Sequence, residues 1–279
     1  MAERVITNSN KLDHIKADCE KCFALCCVAL PYARSADFAF DKDSGIPCPK
    51  LQSNNRCGIH KNLRKSGFQG CSAYECFGAG QKVSQFTYEG NSWRDNPEIA
   101  AEMFEVFPIM QQLHEMLYYL NEAVMLKEAL PIYSQLQMAL NETEFLTELT
   151  PAALLNTDVP AHRAKVSGLL LQTSELVRAK VSKKSNNKKI QRGSDLIGAK
   201  LRRANLRGAN LRGALLIAAD LTECDLNDAD LLGTDFRGAD LSGAALSTSL
   251  FLTQAQINSA KGNQYTKLPT SLSMPEHWL

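Results

Sequence analysis

The sequence has almost no net charge, no long apolar run and no recognisable catalytic frame. Its 31 Lys and Arg oppose 30 Asp and Glu, so no overall basic field recruits nucleic acid and charge matters only locally. No run of about 18 apolar residues occurs that could span a bilayer. The opening Met-Ala-Glu-Arg-Val-Ile-Thr-Asn-Ser-Asn lacks the apolar centre of a secretory signal. A cytoplasmic protein without a membrane partner is therefore expected, in a compartment that keeps thiols reduced. A Ser-His-Asp signature, a phosphate loop and paired carboxylates on a known frame are also missing, which removes the commonest motif-bearing enzyme classes.

Cysteine, by contrast, is plentiful and concentrated. Eight of the nine lie between Cys19 and Cys76: Cys19, Cys22, the adjacent pair Cys26 and Cys27, then Cys48, Cys57, Cys71 and Cys76. At 279 residues the chain is long enough for two or three units with cores of their own, so size does not call for disulfide staples. In a reducing compartment such a cluster reads as metal or redox chemistry first. Cys-x-x-Cys, as in Cys19 to Cys22, brings two sulfurs to one ion because a tight turn folds the intervening residues back. Adjacent side chains diverge, so Cys26 and Cys27 are expected to serve different ions, or one of them is not a ligand. All eight are candidate ligands, with His60 a weaker one beside Cys57-Gly-Ile-His60. Zinc and iron, including an iron-sulfur cluster, both suit an all-thiolate set.

The segment from Cys19 to Cys76 resembles the YkgJ-type family of zinc- or iron-chelating domains, in which a Cys-x-x-Cys and Cys-Cys opening is followed by Cys, Cys-x-Ile-(Tyr/His), an Arg-containing stretch and a further Cys. Cys48, Cys57, Ile59, His60, Arg64 and Cys71 keep that order, while Arg64-Lys65-Ser66-Gly67 replaces the usual Arg-Pro. The resemblance implies a metal-chelating head.

Few large apolar residues accompany these cysteines. Residues 1–90 carry turn-forming Gly45, Pro47, Pro49, Gly58, Gly67, Gly70, Gly78 and Gly80, so short helices and loops are expected, ordered by whatever the thiolates hold. Across residues 91–180 the texture becomes helical. Ile99, Met103, Phe107, Met110, Leu113, Leu117, Leu120 and Val124 recur every three or four residues, marking one buried helix face. Asn96-Pro97 supplies its start, and Pro108 is expected to kink or split it. Further helical pattern runs from about 130 to 149 and from about 161 to 180, giving several antiparallel helices. His14, His114 and His162 show no partner spacing. Residues 181–193 read as a flexible basic linker: between Arg178 and Arg192 there are seven Lys or Arg and no acid. Nucleic acid is not an expected partner except through this run.

From Ser194 a five-residue period appears. Leu196, Leu201, Leu206, Leu211, Leu216, Leu221, Leu226, Leu231, Phe236, Leu241, Leu246 and Phe251 stay in register, each preceded by two positions by Ala, Ser, Thr or Cys224. Neither a helix nor a strand keeps every fifth residue on one face. The pattern resembles pentapeptide-repeat proteins, which implies a right-handed quadrilateral β-helix over 194–253 with four repeats to a coil and the large and small residues facing inward. Twelve repeats then make three coils, and Cys224 is a buried structural thiol. Residues 254–279 are expected to form a short capping helix ending at Gly262 and a tail whose Trp278 packs back, similar to the ends of many bacterial pentapeptide-repeat proteins.

The fold class is thus α+β and multidomain: a Cys-rich metal-binding head, a helical middle region and a C-terminal β-helix. Two functions compete. One is a non-enzymatic metal-binding protein whose repeats form a scaffold for a protein or peptide partner. The other is an iron-dependent redox or radical enzyme modifying a peptide or protein, motivated by more thiols than one tetrahedral zinc site needs. A third, DNA mimicry toward a topoisomerase, is weakened by mixed charge: five bases up to Arg212 oppose Asp195, and seven acids after it oppose Arg237.

Overall fold

The computed structural model describes residues 15–181 and 190–279. Packing divides the chain into two compact units. The first holds the residues up to Phe68, Glu75–Leu126 and Leu130–Leu170; the second holds Gln69–Tyr74, Lys127–Ala129 and Leu171–Leu279. Most of the basic run, residues 182–189, lies outside the described residues.

In the first unit, the cysteine-rich segment forms only short pieces: a 3-10 turn Cys19–Lys21, α1 (Leu25–Val28), and 3-10 turns His60–Asn62 and Arg64–Ser66. Two isolated antiparallel bridges, Tyr32 to Lys42 and Leu51 to Cys57, close its loops. α2 (Gln69–Ala73) follows in the second unit. Back in the first unit, α3 (Ala79–Lys82) runs into a π turn at Val83–Thr87. With so little regular structure, the backbone groups of the head find side-chain partners. Gln81 accepts from the Asp18 amide and donates to Lys16 O, Ser84 accepts from the Phe23 amide, and Gln85 donates to Lys21 O.

Behind the head stands α4 (Pro97–Met125), whose buried face comprises Met103, Phe107, Met110, Leu113, Leu117 and Leu120 among others. It runs through Pro108 as one helix, so of the expected kink or split the split does not occur. A proline forfeits one ladder hydrogen bond, and here a fully buried apolar stripe continues on both sides of it. A 3-10 segment (Lys127–Ile132) leads to α5 (Tyr133–Thr147), α6 (Pro151–Leu155) and α7 (Val159–Arg178). His162 and Thr143 meet between α7 and α5, 2.8 Å apart.

The second unit is dominated by the repeats. Parallel bridges link Asp195 to Leu215 and Leu215 to Asp235, and likewise Lys200, Asp220 and Asp240, each step twenty residues long. One coil therefore takes four pentapeptides, and its four sides meet as isolated bridges rather than extended strands. The central residues from Leu206 to Leu246 are buried, as are Ala214, Ala219, Cys224, Ala229, Ala239 and Ala244 two positions before them. From Leu196 to Leu241, the residue two positions after each central residue adopts positive φ. Gly198, Gly208, Gly213, Gly233, Gly238 and Gly243 fill it without strain, while Arg203, Ala218, Glu223 and Asp228 adopt it as non-glycine residues.

The open end after the third coil is covered by α8 (Gln254–Ser259), which begins with a Thr253/Gln256 capping box. Gln256 also donates to Leu231 O and Thr234 O, both at 2.8 Å. The helix stops at Ser259, three residues short of Gly262. Gly262 serves another purpose: Trp278 lies so close that a Cβ there would sit 2.5 Å from the indole. Trp278 is buried and donates to Ala260 O at 3.1 Å.

Candidate functional site: a reduced thiol cluster and a charge-laddered coil

All nine cysteines are free thiols. Seven of the eight candidate ligands, Cys19, Cys22, Cys26, Cys27, Cys48, Cys57 and Cys76, share the first unit; Cys71 stands on α2 in the second. The chain turns between Cys22 and Cys26 through Ala24, which takes a left-handed φ of 59° ahead of α1. Burial raises the Cys22 thiol, and the nearby Leu25 and Ala24 amides and Ser84 hydroxyl oppose that shift. Cys76 sits at the start of α3 and accepts from the Gly80 and Gly78 amides. Gly80 is the close approach here, because a Cβ on it would lie 2.7 Å from Cys22 Sγ and 3.9 Å from Cys76 Sγ.

Cys26 interacts first with Cys27, and also with Cys22 and Cys76; Cys22 interacts with Cys19, and Cys57 with Cys27, Cys48 and Cys19. The Cys26–Cys27 hydrogen bond raises Cys26 and lowers Cys27, and the charge of Lys42 pulls Cys27 down further. Burial pushes Cys19, Cys22 and Cys57 up and takes Cys76 to about 11.

Among the described residues, no three His, Cys, Asp or Glu side chains converge on a common point as a closed ion cage. All eight candidate donors are free thiols, with no disulfide among them. His60 is exposed on its 3-10 turn. His114 and His162 are buried helix residues, His114 paired with Phe77 O at 2.7 Å.

Four residues of the cluster went unnoticed in the sequence. Glu75 is a half-buried carboxyl pushed up by desolvation. Ser84 is fully buried, and the Arg56 guanidinium grips Cys19 O. Lys42 is 5% exposed. None lies at a metal-motif spacing, and Lys42, flanked by Asp41 and Asp43, has the texture of a solvated loop.

The outer surface of the coils is equally specific. Arg202 and Arg203 of the first coil meet Glu223 of the second, and Arg207 meets Asp228. Arg203 and Arg202 hold the Glu223 carboxyl down at about 2. Asp220, Asp225, Asp230, Asp235 and Asp240 each accept from the amide two residues onward, closing their turns. Cys224, which is 1% exposed, donates to Leu201 O at 2.6 Å, and burial raises it to about 11. It is a structural thiol of the shaft.

Coils of this construction define a class, and residues 192–226 and 214–251 match the family model of pentapeptide repeats, with 8 copies. The chain is 66% identical over 278 residues to YybG of Bacillus subtilis (strain 168), covering 100% of each, and belongs with it to one family of pentapeptide-repeat proteins. It is also similar to a pentapeptide repeat protein from the Arabidopsis thaliana thylakoid lumen, 26% identical over 34% of this chain and 68% of that one, with a TM-score of 0.17. The matched family model covers the repeats and does not extend to the cysteine-rich segment. Among the described residues no helix is long and apolar enough to cross a membrane.

Proposed function

We propose that this is a cytoplasmic, non-enzymatic metal-binding protein whose head holds zinc or iron, the latter alone or as an iron-sulfur cluster, and whose repeats form a scaffold for a protein or peptide partner. The ligands are drawn from Cys19, Cys22, Cys26, Cys27, Cys48, Cys57, Cys71 and Cys76. One observation carries the metal reading: seven free cysteines fall within one compact unit. Gathering that many half-exposed thiols has no folding advantage over alanine or valine packing, whereas a soft cation would bind them as thiolates and tie the short loops together.

For the scaffold reading, the support lies in the stiffness of the coils. Their turns are closed by Asp side chains and their edges joined by Arg–Glu and Arg–Asp pairs. Such a surface is preorganised and loses little entropy on docking. The same pairs weigh against DNA mimicry, since the acids are neutralised or engaged in turns rather than presented as a phosphate-like row.

The test is anaerobic purification followed by metal analysis and visible absorption. Stoichiometric zinc or iron, lost on replacing Cys22 and Cys26 together by serine, is the expected result; protein that retains neither metal and takes up none when supplied sinks the reading. The enzyme alternative stands on the same measurement. Seven or eight thiols exceed one tetrahedral zinc site, so a coloured iron protein would favour it and a colourless zinc protein would end it.

A further inference from the structure

The coils are closed at one end and open at the other. After Phe251, α8 covers the shaft, and Gln256 donates from it to Leu231 O and Thr234 O. The first coil lacks such a cover over two of its sides. The second coil is bonded to it there through Leu196 N, Gly198 N, Leu201 N and Arg203 N, which donate to Leu215 O, Ile217 O, Asp220 O and Thr222 O, while Leu215 N and Asp220 N donate back to Ser194 O and Ala199 O. The counterparts one coil earlier are the amides of Asp195 and Lys200 and the carbonyls of Asp195, Ile197, Lys200 and Arg202. Among the described residues none of these has a backbone partner. The chain covers the other two sides itself: Gly193 N donates to Arg212 O and Arg178 Nε to Gly208 O, both at 2.9 Å, with Val181 against Gly208. The shaft shows the same opening, since Leu196, Ala199, Leu201 and Ala204 are half-buried, whereas Leu216, Ala219, Leu221 and Cys224 beneath them are buried.

The side chains around this edge are of two kinds. Ile197 is 54% and Leu215 38% exposed, with half-buried Ile217 alongside. Ile197 and Ile217 stand where the next two sides carry Arg202, Thr222, Arg207 and Asn227, so this side alone presents an exposed apolar patch at those positions. Around the corner Lys200, Arg202 and Arg203 are exposed, as is Arg192 before them. Asp195 is the first coil's one acid. Glu223 and Asp220 of the second coil offset part of the positive charge, Glu223 being shared by Arg202 and Arg203; among the described residues no ion pair involves Lys200 or Arg192.

A row of unpaired amides and carbonyls beside an apolar patch is a template for an added strand. A second copy of this chain does not fit it. Two open ends brought together would set one basic rim against another, and an open end cannot stack on the end that α8 covers. An acidic segment both pairs through its backbone and answers the positive rim.

We infer that the uncovered edge from Asp195 to Arg203 is a docking site for an extended, acidic segment of a partner protein, which adds to the first coil as a further β-strand and sets an apolar side chain against Ile197. This deepens the scaffold reading and rests on it, naming where the partner binds and what chemistry it carries.

The probe is a fluorescein-labelled peptide of alternating valine and glutamate, titrated into the full-length protein and followed by anisotropy. Saturable binding that weakens as salt rises is expected, with the amides of Asp195 and Lys200 protected from hydrogen exchange. The same peptide methylated on alternate backbone nitrogens keeps its charge and loses its pairing, and it should bind about ten-fold more weakly. Ile197→Asn combined with Lys200→Glu alters only exposed, outward side chains and should weaken binding by a similar factor with the thermal unfolding midpoint unchanged. Equal binding of the methylated peptide shows attraction by charge alone and overturns the inference; that comparison uses the wild type and stands whether or not the variant folds. A valine–lysine or valine–serine peptide bound as tightly as the acidic one overturns it too, as does a dimer of the chain that Ile197→Asn dissolves. Acidic peptide bound alike by wild type and variant places the partner on another face, which defeats this inference and leaves the scaffold reading standing. Wild type that binds none of the three peptides defeats both.

Discussion

Gly80 stands directly against Cys22: a methyl group built on its Cα would lie 2.7 Å from the sulfur, inside the van der Waals limit. Only a residue without Cβ lets the first turn of α3 deliver its amides to Cys76 while Cys22 lies alongside. Gly80→Ala should therefore push Cys22 away. The expected result is about 1–3 kcal/mol of lost stability from overpacking, read by urea unfolding, with a larger loss of metal stoichiometry than Ala introduced at exposed Gly90, where a Cβ meets nothing within 4 Å.

The Arg212–Asp230 pair is the buried member of the coil's charge ladder. Nε and Oδ2 are 3.1 Å apart, with side chains 4% and 0% exposed. Asp230→Ala leaves the guanidinium buried without its carboxylate and also opens the turn at Leu232. A loss of about 3–5 kcal/mol is expected. Replacing both residues by apolar ones of similar size should cost less than the single change, and equal losses would show that the unpaired Arg212 charge is not the source of the penalty.

His162 gives the first unit a pH dependence of calculable sign. Burial lowers it below the ordinary histidine value of 6.5; Glu142 opposes that shift and Lys165 adds to it. Thr143 Oγ1 contacts its Nε2. The folded state therefore gives up this proton more readily than the unfolded one, so the contribution is complete above the unfolded value and is lost as pH falls through the folded one. Thermal unfolding midpoints should drop on acidification below about pH 6.5, and His162→Gln should flatten that slope.

Cys224 supplies the control for all metal experiments. Cys224→Ala removes its bond to Leu201 O and a small volume from the shaft, for about 1 kcal/mol. Metal content should stay at the wild-type value. A loss of metal in this variant would overturn the assignment of Cys224 as structural.

Legibility in the sequence followed the range of the forces involved. The repeat was readable because each pentapeptide solves the same local problem: a large and a small residue point inward and a turn closes, so the period survives without knowledge of neighbours. The helix Pro97–Met125 was readable for a similar reason, its periodicity of buried residues being local, although Pro108 suggested a split that the continuous buried stripe overrides. The thiol list was equally plain, since free cysteines in number are rare and conspicuous.

What the sequence determined by itself was therefore composition with a period: twelve pentapeptides, a helical middle and a crowd of thiols. Only the tertiary structure decided which charges meet. Along the chain the coils look basic first and acidic later, yet a twenty-residue rise stacks Arg202 and Arg203 on Glu223 and Arg207 on Asp228, and the apparent polarity cancels. The same holds in the head, where Lys42 reads as a solvated residue between two aspartates and is in fact buried. Charge acts through space and depends on burial, and neither separation nor burial is written in the order of residues.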